Sequence, residues 1–309
     1  MRKKWTWLDR PLLGFDTETT GVNVDEDRIV SASVVRWGGG QVTEARNWLS
    51  DVGGMEIPAE ATAVHGITSE QARAAGRPAA AVIEEIIAAL AASSDAGLPI
   101  VAMNAQFDLT LLEREADRYG LRRLFARSVP RVLDPRVLDK HVTPYRKGKR
   151  NLAALCTYWC VKLDGAHNAE ADAKAACSVV SKIARRFPWL TSVDLGDLHE
   201  RQVQWARAQT ADFRSYLARV GGDVDMTPFD WPVLPAPAST EDLAAGGPAF
   251  RARESPPPSW RRPPHLSPPP PHPPPPPPAP TRLRRSRPAR PTSPSSVTAR
   301  QRAGRPRTP

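Results

Sequence analysis

The distribution of proline along the chain limits how much of it can fold. Of the 34 prolines in 309 residues, 25 lie from Pro232 onward, including the uninterrupted run Pro273 to Pro278. A segment of this composition has few apolar side chains to bury and few backbone N–H donors, so it cannot build a packed core. We therefore predict one globular domain over residues 8–190, a helical extension over residues 191–233 and a disordered tail over residues 234–309.

Net charge is divided along the chain in the same way. From Glu241 to the end there are 13 arginines and 3 acidic residues, which accounts for the whole formal charge of +10. The first 240 residues hold 30 basic and 30 acidic residues, so the pI near 10 does not mark the folded part as a binder of nucleic acid. The tail has three open interpretations: a solvated linker, a segment weakly attracted to nucleic acid, or the product of a frameshift in a GC-rich gene.

The cysteines and the apolar segments indicate the compartment. Cys156, Cys160 and Cys177 give no disulfide framework. We interpret Cys156 and Cys160, four residues apart on a predicted helix, as small core side chains, because no Cys-x-x-Cys or histidine pair accompanies them. The sequence has neither a signal peptide nor an apolar run of about 18 residues. It therefore predicts a cytoplasmic protein without membrane contact.

The order of the predicted elements indicates the fold class. Buried strands are predicted at Leu12–Thr17 and Arg28–Trp37, and the turn Gly38–Gly40 leads into a third strand at about 41–49. A turn this short allows only antiparallel pairing. Helices are predicted at about 69–76, 78–92, 106–119, 135–141, 151–162 and 168–186, and further strands at 100–103 and 131–133. Because strands come first and then alternate with helices, we expect an α/β or α+β fold with one mixed central sheet.

Two carboxylates end the first predicted strand. Asp16 and Glu18 lie in the sequence Gly14-Phe-Asp-Thr-Glu-Thr-Thr-Gly21. Side chains alternate along a strand, so residues two apart point to the same face. Two neighbouring like charges repel each other unless a cation or a proton lies between them. An isolated Asp-x-Glu is more often a solvated turn, so this pair needs support from other residues.

Two further acidic residues fall at predicted helix starts. Asp108 lies in Asn104-Ala-Gln-Phe-Asp108, where a short strand runs into a helix, and Asp172 lies in His167-Asn-Ala-Glu-Ala-Asp172. Taken singly, each is explained by the preference of helix starts for acidic residues. Strand ends and helix starts from distant segments can meet, however, and carboxylate oxygens suit Mg²⁺ or Mn²⁺. Two such ions about 4 Å apart promote in-line attack on a phosphodiester, and a histidine can take the proton from the attacking water.

The motifs together, in this order, resemble the DEDDh branch of the DnaQ-like 3′–5′ exonucleases. That family includes the proofreading ε subunit of bacterial DNA polymerase III, ribonuclease T and oligoribonuclease. Gly14–Gly21, Asn104–Asp108 and His167–Asp172 resemble its three exonuclease motifs. Ala63-Val-His-Gly-Ile-Thr68 is similar to its segment that packs against the terminal nucleotide. The resemblance implies a ribonuclease H-like fold, a mixed central sheet flanked by helices.

The resemblance also implies a role for each motif residue. Asp16 would bridge two Mg²⁺ ions, for which Mn²⁺ can substitute, and His167 would be the general base. The implied metal ligands are Asp16, Glu18, Asp108 and Asp172. The implied substrate-binding residues are Thr17, Thr19, His65, Ile67, Asn104 and Phe107. Ile67 or Phe107 wedged against the last bases would favour frayed or single-stranded ends of any sequence.

The function that follows is a metal-dependent 3′–5′ exonuclease. It would remove nucleoside monophosphates from single-stranded or frayed DNA 3′ ends by two-metal-ion hydrolysis, in proofreading or repair, with a DNA polymerase as the suggested partner. An RNA 3′-trimming exonuclease with the same site and a non-catalytic nucleic-acid-binding module remain alternatives. The choice between DNA and RNA depends on contacts to the 2′-position, on which the motifs are silent.

The predicted helical extension has one apolar face. Six residues recur at spacings of three and four and mark this face: Val203, Ala206, Thr210, Phe213, Leu217 and Val220. Gly221 and Gly222 provide the stop. Two interpretations are open for the face, packing on the catalytic core or association with a partner or a second copy. Asp230–Val233 is predicted to end the ordered part.

Overall fold

A five-stranded mixed sheet with the strand order β3-β2-β1-β4-β5 forms the centre of the fold. The strands are β1 (Pro11–Thr19), β2 (Ile29–Gly38), β3 (Glu44–Leu49), β4 (Ile100–Val101) and β5 (Val132–Leu133). The first three pair antiparallel, whereas β4 is parallel to β1 and β5 is parallel to β4. The predicted mixed sheet is thereby confirmed. The carboxyl ends of β1, β4 and β5 consequently lie at one edge of the sheet.

The computed structural model describes residues 5–41, 43–165, 167–224 and 228–236. They belong to the unit Met1–Gly247, and the second unit, Pro248–Pro309, lies outside the described residues. The prediction of disorder for the tail beyond residue 236 therefore also falls outside them.

The predicted turn at Gly38–Gly40 is present, and all three glycines have positive φ angles of 82°, 64° and 72°. Such angles favour glycine because it has no Cβ.

Ten helices are present in the described part of the chain. They are α1 (Ala59–His65), α2 (Ser69–Ala75), α3 (Ala79–Asp95), α4 (Ala105–Arg118), α5 (Leu124–Arg127), α6 (Pro135–Val142), α7 (Leu152–Tyr158), α8 (Ala169–Arg186), α9 (Trp189–Ser192) and α10 (Leu195–Val220). Short 3₁₀ turns occur at Trp7–Asp9 and Val52–Gly54. The short helices α1, α5 and α9 were not predicted, because segments of four to seven residues are too short to show a helical period.

The structure corrects the prediction for one cysteine. The helix predicted over residues 151–162 ends at Tyr158, so Cys160 lies beyond it, with a positive φ of 53°. Cys156 is buried as expected, whereas Cys160 is exposed and is not a core residue. The two are therefore not on one helix face, which was the premise of the prediction.

Helices cover both faces of the sheet, and strand alternation divides the core into two apolar layers. On β1, Leu13 and Phe15 pack with α3 and α4, whereas Leu12 packs in the layer beneath α6, α7 and α8. On β4, Ile100 joins the first layer and Val101 the second. Burial of both faces explains why these strands read as continuous apolar runs and not as an alternating pattern.

A close approach at Gly14 fixes α8 against the centre of the sheet. A Cβ atom at Gly14 would lie 2.7 Å from the backbone oxygen of Ala173 and 3.0 Å from the Sγ atom of Cys177. Real Cβ contacts are not this short, so only glycine lets the helix lie this near to β1. The beginning of α8, with Asp172, is thereby brought to the carboxyl end of β1.

The two halves of the long helix α10 differ in burial. Its first half buries Leu198, Gln202 and Ala206 against β5 and α6, which agrees with the first of the two interpretations of its apolar face. Its second half leaves Phe213 and Val220 exposed. In the part of the chain that the structure covers, no helix combines the length and the apolar character that a membrane crossing needs.

Candidate active site

Three carboxylates converge at the carboxyl end of β1. Asp16, Glu18 and Asp172 each offer an oxygen atom, and these oxygens lie within 4.8 Å of one another. Asp16 and Glu18 share a face of β1 because they are two residues apart. Asp172 lies in the first turn of α8, which the contact at Gly14 holds against β1. The geometry therefore brings together three of the four carboxylates that the sequence singled out.

The fourth carboxylate, Asp108, lies beside this group and is held differently. It is in the first turn of α4 and is 4% exposed. Its Oδ1 atom accepts hydrogen bonds from the Thr17 backbone N–H at 3.1 Å and from the Thr17 hydroxyl at 2.7 Å. Its charge raises the pKa of Asp16, so it faces the group without being part of the close trio.

The electrostatics of the site favour a cation or a proton. Burial raises the pKa of Asp16 well above its ordinary value, and the charges of Asp108, Asp172 and Glu18 raise it further. Burial, with the charges of Asp172 and Asp108, raises the pKa of Glu18 to about 7. Burial also raises the pKa of Asp108 to about 7, although the hydrogen bonds from Thr17 act to lower it. At neutral pH these groups ionise fully only when positive charge is supplied.

The donor atoms of the trio fit a divalent cation. The Oδ1 atom of Asp172 is buried and has no hydrogen-bond partner among the described residues. Its Oδ2 atom accepts a hydrogen bond from the His167 backbone N–H at 3.2 Å. A buried carboxylate oxygen without a partner is costly, and a bound ion removes that cost. Three carboxylates also form the oxygen-rich set that hard cations such as Mg²⁺ and Mn²⁺ prefer.

His167 lies on the loop that enters α8. Its φ of 64° is in the left-handed region. The following residue, Asn168, caps the helix by accepting a hydrogen bond from the Ala171 backbone N–H at 3.2 Å. The loop is attached to the acidic group through the bond from His167 to Asp172, and the His167 side chain is exposed. The imidazole is thus accessible to water and to a substrate.

The predicted substrate-binding residues around β1 and α1 have different surroundings. The Thr17 backbone N–H and the Thr17 hydroxyl both donate hydrogen bonds to Asp108. The Thr19 hydroxyl donates to the Gly21 carbonyl at 2.6 Å. The Nδ1 atom of His65 accepts from the Ile67 backbone N–H at 3.1 Å. The Nε2 atom of His65 is buried and lacks a hydrogen-bond partner within the described ranges. Burial lowers the pKa of His65, which favours the neutral ring.

Asn104 and Phe107 lie at the start of α4. Asn104 is the N-cap, with φ and ψ of 61° and 48°, a left-handed conformation that asparagine tolerates better than most residues. Its side-chain Oδ1 atom accepts a hydrogen bond from Arg136 at 2.6 Å. Phe107 is partly buried and packs on the first apolar layer. The side-chain oxygen of Asn104 is therefore engaged by a basic residue at the edge of the site.

The sequence did not point to Asp134, which organises the junction that carries Asp108. Asp134 is 2% exposed and caps α6 by accepting from the Arg136 backbone N–H at 2.8 Å. It also accepts from the backbone N–H groups of Asn104 at 3.3 Å and Ala105 at 3.1 Å, the N-cap and the first residue of α4. The Asp134-Pro135 pair could be read as an N-cap followed by proline at the first helical position. Its second role, anchoring another helix, has no local signature.

A segment near the end of the described chain also contacts this junction. The indole N–H of Trp231 lies 3.4 Å from the Oδ2 atom of Asp134, and the ring is 8% exposed. The Leu234 backbone N–H donates to the Thr110 hydroxyl on α4 at 3.0 Å. Arg114, also on α4, donates to the Pro235 carbonyl. The segment 230–235 therefore lies along the helix that carries Asp108.

Comparison with known proteins identifies the family. A family model described as an exonuclease, RNase_T, matches residues 13–180, which is more than half of the chain. The chain belongs to the DnaQ-like exonuclease family. Residues 13–180 of this exonuclease include all the motif residues discussed above. Among curated protein sequences, none matches the chain.

The solved structures similar to this exonuclease include several of exonuclease I. The zinc-bound Escherichia coli exonuclease I–single-stranded DNA complex has a TM-score of 0.51 at 20% identity, over 59% of this chain and 42% of that chain. The E. coli exonuclease I complex with a dA16 oligonucleotide has a TM-score of 0.50 at 20% identity, with coverages of 59% and 42%. Exonuclease I from Methylocaldum szegediense has a TM-score of 0.49 at 20% identity, with coverages of 58% and 41%. The chain therefore spans less than half of these proteins, and the likeness to the two E. coli complexes agrees with the ribonuclease H-like fold.

Proposed function

We propose that the chain is a 3′–5′ exonuclease that releases nucleoside monophosphates from single-stranded or frayed DNA 3′ ends. The observation that carries the proposal is the convergence of Asp16, Glu18 and Asp172 within 4.8 Å, with Asp108 beside them, in a chain of an exonuclease family. Burial raises the pKa values of all four carboxylates, and neighbouring charges of the group raise those of Asp16 and Glu18 further, so the group costs stability. A fold keeps such a group for the chemistry it performs.

The carboxylates would hold two divalent cations, Mg²⁺ or Mn²⁺. Asp16, Glu18 and Asp172 would hold the first ion, and Asp108 with Asp16 the second. When bound, such ions lower the pKa of water and neutralise charge that develops on the phosphate. The protein contributes the placement of the ligands. Thr17 fixes one oxygen of Asp108, and the His167 backbone fixes one oxygen of Asp172 while the other stays unpartnered among the described residues.

His167 is the proposed general base. Its backbone is bonded to Asp172, and its exposed imidazole can accept the proton of the attacking water at a ring nitrogen. To accept that proton the ring must be neutral. The proton then leaves to solvent, to which the side chain is open.

His65 is proposed to hold the terminal nucleotide. Because Nδ1 accepts a hydrogen bond from Ile67, a neutral His65 ring carries its proton on Nε2. This buried N–H group lies near the Thr19 backbone and would donate to an oxygen of the nucleotide. The backbone of Thr17–Thr19, with Asn104, Ile67 and Phe107, would complete the contacts. Apolar and aromatic contacts to bases do not depend on the base, so the enzyme would act on any sequence.

DNA is proposed as the substrate because E. coli exonuclease I, which shares the fold, is seen with single-stranded DNA and with a dA16 oligonucleotide. An RNA strand presents the same phosphodiester, so the carboxylates could hydrolyse either. Frayed DNA 3′ ends arise in proofreading and repair, and a DNA polymerase is the partner that such a role implies.

The test uses DNA and RNA single strands of matched sequence, each labelled at either the 3′ or the 5′ end, with Mg²⁺. We expect the 3′ label to leave first as a nucleoside monophosphate from DNA, and EDTA to stop the reaction. Degradation of RNA alone would replace DNA by RNA in the proposal. Loss of neither label with Mg²⁺ or Mn²⁺ would overturn the proposed activity and favour a nucleic-acid-binding module.

A further inference from the structure

A row of basic side chains follows α6 and the loop after it. Between Pro135 and Asn151 there are six lysines and arginines and one carboxylate, Asp139. The six are Arg136, Lys140, Arg146, Lys147, Lys149 and Arg150. Because the first 240 residues are neutral as a whole, this concentration of positive charge is local and does not reflect the general composition.

The row begins at the candidate active site. Helix α6 starts at the carboxyl end of β5, the same edge of the sheet at which the carboxylates converge. Arg136 in its first turn donates to the Asn104 side chain at 2.6 Å, and Asn104 caps the helix of Asp108. Lys140 is four residues further and therefore lies on the same face of α6 as Arg136.

Asp139 pairs with two arginines of the loop and forms no ion pair with the rest of the row. Its carboxylate is fully buried and accepts from Arg146 at 3.0 Å, from Arg150 at 2.9 Å and from the indole N–H of Trp159 at 2.9 Å. These bonds attach the loop to α6. Within the described residues, no ion pair is formed by the other four cations, Arg136, Lys140, Lys147 and Lys149.

The cations of the row are close enough to repel one another. Lys140 is partly buried, and burial lowers its pKa. The charges of Arg136 and Arg150 lower that pKa further, while Asp212 opposes them. A bound polyanion lowers the electrostatic repulsion between cations that the fold holds close together, just as a bound cation lowers the repulsion between carboxylates.

Exposed aromatic rings accompany the charges. Tyr145, in the loop, is 95% exposed, and Tyr158 at the end of α7 is 43% exposed. The Arg146 guanidinium lies 4.8 Å from the centre of the Tyr158 ring. Aromatic rings among cations are the combination that binds single-stranded nucleic acid, through base stacking and phosphate contacts.

We propose that Arg136, Lys140, Lys147 and Lys149, with Tyr145, bind the backbone and bases of the single strand upstream of its 3′-terminal nucleotide. This inference rests on the proposed exonuclease function. The eight residues of α6 alone cover about 12 Å. We therefore expect a strand of 20 nucleotides to reach the loop and a dinucleotide held at the carboxylates to contact it little.

The test compares charge removal in the loop with charge removal elsewhere, in the full-length chain. The double variant Lys147→Gln/Lys149→Gln is titrated with a 20-nucleotide DNA strand in EDTA at several salt concentrations. Each lost phosphate contact lowers the slope of log K against log salt by about 0.7, so we expect a fall of about 1.4. Tyr145→Ala, tested separately, should weaken binding by about fivefold or more through lost stacking.

The matched control is Arg36→Gln/Lys182→Gln, which removes two exposed charges. Arg36 pairs with Leu13 near the start of β1, and Lys182 lies more than two turns beyond Asp172 on α8, so both are remote from the carboxyl end of β1. We expect this double variant to keep the salt slope. Equal slopes for the two double variants would overturn the proposed row.

A second readout separates the row from the catalytic site. With Mg²⁺, the ratio of kcat/KM on the 20-nucleotide strand to kcat/KM on a dinucleotide should fall in the loop variant. An equal loss on both substrates would overturn the inference, because the loop would then act on the chemistry. If the unaltered chain hydrolyses neither the 20-nucleotide strand nor the dinucleotide, the proposed function is wrong. The salt slopes are measured by binding in EDTA, so they test the row separately from that outcome.

Discussion

Replacing Glu18 by glutamine should stabilise the metal-free protein at alkaline pH while removing its exonuclease activity. The Glu18 side chain is 9% exposed, and burial together with the charges of Asp172 and Asp108 raises its pKa from 4.5 to about 7. Between these two values the folded state binds more protons than the unfolded state. Stability therefore falls as the pH rises through this window, and the loss is complete above it.

The size of the effect follows from the two pKa values. At about 1.4 kcal/mol for each pH unit between 4.5 and about 7, the ionised Glu18 costs roughly 3 kcal/mol at pH 8. The amide has nearly the same shape and cannot ionise, so the Glu18→Gln variant avoids this cost. At pH 5 Glu18 is mostly protonated in the folded state, and the gain should be less than about 1 kcal/mol.

The assay is urea unfolding followed by tryptophan fluorescence, in EDTA and in Mn²⁺, at pH 5 and at pH 8. In EDTA we expect the free energy of unfolding of the variant to exceed that of the unaltered protein by about 3 kcal/mol at pH 8. Mn²⁺ should stabilise the unaltered protein more than the variant, because a ligand that binds only the folded state adds to its stability.

Glu85→Gln provides a control of opposite sign. Hydrogen bonds from Arg77 and Trp48 lower the pKa of Glu85 to about 2. Its ionised form therefore contributes stability above its unfolded pKa, and the contribution is lost as the pH falls through the folded pKa. Its removal should lower stability at pH 8.

Two outcomes would refute the reasoning for Glu18. The Glu18→Gln variant could be less stable than the unaltered protein at pH 8, or its gain in the free energy of unfolding could be independent of pH.

Four further predictions concern the site and the chain around it. Asp16→Ala should abolish turnover without unfolding the protein, because it removes the central ligand and one of the repelling charges; measurable turnover in saturating Mg²⁺ would contradict the bridging role. His167→Ala should lower the rate by about 10²–10⁴-fold and remove the acid limb of the pH–rate profile while metal binding by calorimetry persists, and a variant that keeps both rate and limb would place the base elsewhere. Gly14→Ala should destabilise the fold by about 1–3 kcal/mol in urea, because its Cβ would lie 2.7 Å from the Ala173 carbonyl, and an unchanged midpoint would mean that α8 shifts freely. Removing residues 241–309, which carry the net charge of +10, should reduce the salt dependence of binding to long DNA but not turnover on short strands; equal salt slopes would show the segment to be inert.

The sequence by itself determined those features that depend on spacing along one element. Asp16 and Glu18 share a strand face because side chains alternate, and Asp172 lies one turn inside α8 because Asn168 caps that helix. The turn Gly38–Gly40 was predicted from its three consecutive glycines, and the mixed sheet from the order of strands and helices along the chain. Backbone periodicity, caps and turns are encoded within a few residues, so they can be read without knowing which segments meet.

The tertiary structure alone decided how distant segments hold the site. Asp108 is fixed by Thr17, 91 residues earlier, and Asp134 is contacted by Trp231, 97 residues later. Cys160 is exposed because α7 ends before it. These contacts depend on which buried donors and acceptors come together once the sheet and helices pack. A buried polar group takes the partner that packing places next to it, and no periodicity along the chain specifies that partner.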